Sequence, residues 1–178
     1  MALTQTAEYA LRAAAWLAQN HGEAQTAPQI ATATQVPTSY LPKVLQPLVR
    51  AGLLSGQRGL GGGYALIPDP KNLTMLDVVN AVDPIQRIRQ CPLSLESHGA
   101  RLCPLHGVLD QLLEQEEKRL ASVTLQDLIK PHKSHPRPLC EVAEKLRKEA
   151  EADGQPVPNR ATVRKAKAKV RKSPPRKS

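Results

Sequence analysis

The chain contains no phenylalanine, and its few aromatic residues, Tyr9, Trp16, Tyr40 and Tyr64, all lie before residue 65 of 178. Beyond that point any core must be filled by Leu, Val, Ile and Ala. No apolar run approaches the roughly 18 residues of a membrane-spanning helix. The N-terminus lacks a basic segment followed by an apolar stretch and a small-residue cleavage site. A cytoplasmic protein with no membrane partner is therefore expected. Three cysteines, Cys91, Cys103 and Cys140, are too few and too odd in number for a secreted disulfide framework, which leaves reduced thiols or metal ligands. Also missing are paired carboxylates, a nucleophile with its base, and the Lys-Ser/Thr ending that would turn the glycine cluster near residue 60 into a phosphate cradle. These absences argue against an enzyme.

What is present is charge, and it is unevenly placed. The formal net charge is +9, yet residues 131–178 hold fourteen Lys and Arg against five acids, so residues 1–130 are neutral. Residues 159–178 carry nine basic residues and no acid. Rich in Pro, Ala, Lys and Arg, residues 131–178 read as a basic, disordered tail, with a short helix around residues 139–150 as the alternative. Such a tail attracts DNA without reading its sequence, because each neutralised phosphate releases counterions. The competing reading is a merely solubilising extension.

Helical periodicity runs from Thr4 through Ala7, Ala10, Leu11, Ala14, Leu17 and Ala18, stopping at Gly22. Thr26 and Gln29 form a capping box, with Pro28 tolerated in the first turn of a short second helix ending near Gln35. A third helix follows the turn at residues 36–39, with Leu41, Val44, Leu45, Leu48 and Val49 on one face and Ala51-Gly52 at its end. Pro47 lies inside it, removing the donor to the Lys43 carbonyl, and predicts a bent or frayed end. Strands near residues 53–58 and 63–67 flank Gly59-Leu60-Gly61-Gly62, a run suited to a tight hairpin. Thr74-Met-Leu-Asp77 opens a fourth helix through Val82, and a helix near residues 105–121 carries Leu105, Val108, Leu109, Leu112, Leu113 and Leu120 on one side. So wide a stripe is poorly covered by a body this small, and a second copy is the economical cover.

The expected fold is mainly α with a small β-hairpin. A winged helix-turn-helix spans residues 1–83, a cysteine-containing sensor-type loop 84–104, a dimerisation helix region 105–130, and the tail 131–178. In this order of elements the third helix can enter the major groove while the wing lies along the backbone. Thr38, Ser39, Tyr40, Lys43, Gln46 and Arg50 are the candidate DNA-contacting residues of the turn and third helix, and Arg58, Gly61 and Gly62 those of the wing. Residue by residue, an ordinary solvated helix face explains each equally well. The set together favours DNA.

Tyr40-Leu41, the run 45–54, Arg58-Gly-Leu-Gly-Gly-Gly-Tyr64 and Leu76-Asp77-Val78-Val79 resemble the Rrf-type family of bacterial winged helix-turn-helix transcription regulators (IscR/NsrR-like) over about residues 1–130. The resemblance implies a homodimer that represses or activates promoters, repression being the expected direction, on double-stranded DNA with a two-fold symmetric site. It also implies a 2Fe-2S cofactor. Cys91 and Cys103 match the outer two of three cysteines that cluster-binding members carry at intervals of six, Ser97 stands at the middle position, and His106 matches a histidine ligand. His98 or Glu8 is then the fourth ligand. The residues alone leave open a pair of packed thiols, a disulfide switch or a zinc site. Alternatives to the regulator are a metal-free architectural DNA-binding protein acting through the tail and a small metalloenzyme built on Cys91, Cys103 and His106.

Overall fold

Among the described residues, Thr4, Thr26, Thr74 and Thr124 each cap the start of a helix. The structure is a computed structural model and is described for residues 3–57, 59, 62–92 and 102–130. Arg58, Gly61, Ser97, His98, Cys140 and the tail 131–178 lie outside the described residues.

Helix α1 (Gln5–Gln19) starts at Thr4, whose hydroxyl accepts the Ala7 amide. Ala7, Ala10, Ala13, Ala14 and Ala18 are buried along it together with Leu17. Small side chains on several sides let other elements come close, and α1 is packed by α2 (Ala27–Thr34), α3 (Leu41–Arg50), α4 (Met75–Val82) and α6 (Leu125–Ile129). A core poor in aromatics is thus built around an alanine-lined axis, with Ile30, Leu41, Leu45, Leu48, Val78, Val79 and Leu125 filling the space.

The expected capping box of α2 is present, with the Thr26 hydroxyl accepting from the Gln29 amide and the Gln29 side chain accepting from the Thr26 amide. Helix α3 buries Leu41, Val44, Leu45 and Leu48. Its end does not fray at Pro47. The helix continues to Arg50, and the Pro47 carbonyl accepts the Ala51 amide at 2.9 Å. Lys43, whose carbonyl loses its donor to the proline, is exposed, so water can replace it. The C-terminus closes as a Schellman motif: the Leu53 amide donates to Leu48 and the Gly52 amide to Val49, both at 3.0 Å. Gly52 has φ +73, a conformation costly for any residue with a side chain. It turns the chain directly into the wing.

The wing pairs β1 (Leu54–Gln57) with β2 (Gly63–Leu66) in antiparallel register, Leu54 opposite Leu66 and Gln57 opposite Gly63. Gly59, at φ +99, makes the turn. A third strip has no signal in the sequence: Gln25 exchanges two 2.8 Å backbone bonds with Tyr64, fastening the wing to the start of α2. This pairing explains Gly63, where a Cβ would sit 2.6 Å from the Gln25 carbonyl oxygen. Gly63 is needed for close approach, not for a turn.

Thr74 caps α4 with Asp77, and Thr124 caps α6 with Asp127, in two matching boxes. The two capping residues pair with each other, the Met75 amide donating to Val123 at 2.9 Å and Leu125 to Leu73 at 2.8 Å. The short α6 is not expected from the sequence, because five residues carry no measurable periodicity. Between these helices α5 (Pro104–Ala121) begins one residue earlier than expected and ends at the expected residue. Its stripe divides. Leu113 and Leu120 are buried within the chain, whereas Leu105, Val108, Leu109 and Leu112 are 39–63% exposed.

Candidate nucleic-acid interface and metal-ligating group

Because Leu41, Val44, Leu45 and Leu48 face the core, the other side of α3 is left to Lys43, Gln46 and Arg50, all exposed. Thr38 and Ser39 are exposed in the turn ahead of them. Gln46 and Arg50 also line the groove between α3 and the wing, opposite Gly56, Gln57 and Tyr64. Gly62 is half-buried in the hairpin turn, its amide donating to Gly59 at 2.9 Å. Cationic and amide groups on one helix face, with a hairpin beside it, suit phosphates and base edges.

Tyr40 is placed differently from its neighbours. Its hydroxyl shares a 2.8 Å hydrogen bond with the Thr6 hydroxyl, and its ring meets Tyr9 edge-on with centroids 5.3 Å apart. The Lys43 ammonium lies 5.1 Å from the Tyr40 ring centroid. The bond with Thr6, and then Lys43, holds the Tyr40 hydroxyl below the usual phenol pKa. Tyr40 therefore joins the start of α3 to the first turns of α1. Sequence reading missed Thr6 and Tyr9 as the residues that seat this helix. Only their i, i+3 spacing on a mostly alanine helix marks them.

The second group is sulfur and nitrogen. Cys103 is the N-cap residue of α5 but makes no side-chain capping bond, and His106 sits in the first turn, three residues on. The His106 Nδ1 is 3.1 Å from Cys103 Sγ and 3.5 Å from Cys91 Sγ. All three ligand atoms lie within 4.8 Å of one another on half-buried residues. Glu8, expected as an alternative fourth ligand, is outside this group; its carboxylate accepts from Arg12 at 2.5 Å. These residues do not by themselves fit a 2Fe-2S cluster. Such a cluster takes four terminal ligands, shared between two irons.

Cys91 reaches His106 because the chain before it is held to α5. The Arg87 guanidinium donates to both Asp110 carboxylate oxygens, at 2.7 and 2.6 Å, and also reaches Glu117 at 3.2 Å and Glu114 at 3.5 Å. The Ile88 amide donates to the same Asp110 at 2.9 Å. Asp110 is thereby held below the usual carboxylate pKa, chiefly by Arg87, and Arg87 is raised well above its ordinary value. Spaced i, i+4 and i+7, the three acids form a flank of α5 that the apolar stripe leaves free. Asp110 lies one turn beyond His106.

A helix-turn-helix with an exposed basic third helix, followed by a two-stranded wing, defines the class: a DNA-binding transcription regulator. Residues 3–131 match the Rrf2 family profile, described as an iron-dependent transcriptional regulator, and the chain belongs to that family. It is 32% identical over 132 residues to Protein aau3 of Rhizobium meliloti, covering 73% of this chain and 86% of that protein. It is 33% identical over 92 residues to the HTH-type transcriptional regulator IscR of Xenorhabdus nematophila, covering 52% of this chain and 56% of IscR. The fold superposes on CymR, the global cysteine regulator of B. subtilis, with a TM-score of 0.59 at 25% identity, over 72% of this chain and 95% of CymR. Membership in a family of regulators sets aside the metalloenzyme reading. Among the described residues no helix is long and apolar enough to cross a membrane.

Proposed function

We propose that the protein acts as a homodimeric, sequence-specific repressor that reads a two-fold symmetric site in double-stranded DNA with α3 and takes its signal at Cys91, Cys103 and His106. The observation that carries this reading is the division of α3 into a buried apolar face and an exposed face of Lys43, Gln46 and Arg50 beside the wing. Two such helices, related by a dyad, match two half-sites one helical turn apart. Support for the dyad comes from Leu105, Val108, Leu109 and Leu112, whose exposure on one helix is unusual for a monomer of this size. Because these side chains are only 39–63% exposed, covering what remains contributes about 1 kcal/mol each. Signal and dimer surface adjoin, because His106 and Leu105 belong to the same turn of α5.

The test is retardation of promoter fragments containing candidate palindromes, in a large excess of nonspecific competitor DNA. Specific binding that survives competitor and weakens at least tenfold in Lys43→Ala and Arg50→Ala supports the reading. Binding that competitor abolishes, unchanged in both variants, overturns it in favour of an architectural protein acting through the basic tail.

A further inference from the structure

The three ligand atoms at the start of α5 have the dimensions of one metal ion's coordination sphere. A tetrahedral zinc ion lies about 2.3 Å from a thiolate sulfur and about 2.0 Å from an imidazole nitrogen, which puts neighbouring ligand atoms about 3.5–3.8 Å apart. The 3.1 and 3.5 Å from His106 Nδ1 to the two sulfurs are close to that, and with all three ligand atoms within 4.8 Å of one another the set closes on one ion by an inward shift of about 1 Å at most. A 2Fe-2S cluster makes a different demand. Its terminal ligands stand in pairs at opposite ends of a two-iron core, whereas the three ligands found among the described residues converge on one point. The sequence agrees, since Ser97 occupies the position at which the resemblance calls for a third cysteine.

We propose that Cys91, Cys103 and His106 bind a single divalent, thiophilic ion, Zn²⁺ or Fe²⁺, as a mononuclear Cys2His site whose fourth position is taken by water, and not one end of an iron-sulfur cluster. Two thiolates neutralise the ion's charge, which favours a half-buried position, and a borderline-soft ion suits a mixed sulfur and nitrogen set. The site is prepared before the ion arrives. Cys103 is not spent on capping α5, and Arg87 together with the Ile88 amide fastens the segment leading to Cys91 onto Asp110, one turn from His106. Binding would join the segment leaving α4 to the first turn of α5, between the DNA-reading body and the exposed leucines. This inference rests on the proposed function only for its regulatory consequence; the site itself stands on geometry.

The experiment uses the full chain, reduced and metal-free, titrated with Co²⁺ and then Zn²⁺, and in parallel with Fe²⁺ in the presence and absence of sulfide. About one Co²⁺ per chain is expected, with sulfur-to-cobalt charge transfer and the intense visible bands of tetrahedral cobalt, displaced by Zn²⁺. His106→Gln and Cys103→Ser should each lose about tenfold or more in affinity while keeping the helical circular dichroism of the parent. Iron should bind without acid-labile sulfide, and comparison of the Zn²⁺ and Fe²⁺ affinities identifies the ion. Incorporation of about two irons and two sulfides per chain, or no Co²⁺ binding by folded protein, would overturn the proposal. Formation of a Cys91–Cys103 disulfide in place of metal uptake would overturn it as well. Specific DNA binding is measured on the same samples. A bound ion without effect on DNA affinity leaves the site standing and removes the sensing role, whereas intact specific binding with no metal uptake removes the site alone.

Discussion

Arg87 and Asp110 meet as a bidentate pair, guanidinium to carboxylate at 2.7 and 2.6 Å, and the same carboxylate takes the Ile88 amide. One acid on α5 therefore holds the start of the segment that delivers Cys91 to His106. Removing the pair should free that segment without disturbing the core. In Arg87→Ala, the affinity for Co²⁺ is expected to fall about tenfold or more, in the range found when groups that orient ligands are removed. Helical content should be unchanged. Metal titration followed by absorbance checks both, and undiminished affinity would show that Cys91 finds His106 unaided.

Acid should weaken the protein in a definite window. Arg87 depresses Asp110, and Lys130 with Thr124 holds Asp127 at about 2. A carboxylate depressed in the folded state stabilises above its unfolded pKa of about 3.9, and that contribution is lost as pH falls through the folded value. Thermal melts of metal-free protein should show this contribution intact from pH 7 to 5 and lost between about pH 4 and 2. Asp127→Asn should show a smaller drop across the same interval. An identical drop would place the acid sensitivity elsewhere.

Gly63→Ala puts a methyl carbon 2.6 Å from the Gln25 carbonyl oxygen, backbone against which nothing can easily yield. The expected result is a detached wing base: a cost of about 1–3 kcal/mol, as for other overpacked sites, and weaker DNA binding. Chemical denaturation reads the first and gel retardation the second.

The exposed stripe of α5 predicts its own test. Leu109→Lys or Leu112→Lys should convert a dimer to a monomer in sedimentation equilibrium while leaving the monomer folded, since neither side chain belongs to the core of the chain. Unchanged mass would show that another surface carries association.

Deleting residues 131–178 removes fourteen basic side chains and five acidic ones. If the tail touches DNA, the slope of log affinity against log salt should become shallower by about 0.9 for each phosphate that the shortened chain no longer neutralises, with base-sequence preference preserved. An unchanged slope would make the tail a bystander.

Much of the architecture is legible along the chain, because its determinants are local. Helical spacing of Ala and Leu marks α1, the Thr26–Gln29 and Thr74–Asp77 boxes fix two helix starts, and Gly52 marks the exit from α3. Each depends on neighbours three or four residues away, which periodicity and capping rules describe. The metal-ligating types Cys91, Cys103 and His106 are also legible, through their spacing and the family resemblance. Their convergence within 4.8 Å is decided by tertiary structure, by Asp110 gripping a segment over twenty residues earlier. The same holds for the Gln25–Tyr64 bridge that makes Gly63 necessary, for the Tyr40 hydroxyl meeting Thr6, and for the division of the α5 stripe into buried and exposed halves. Local composition sets which groups an element carries. Which of them meet depends on how distant elements pack, and no short-range pattern records that.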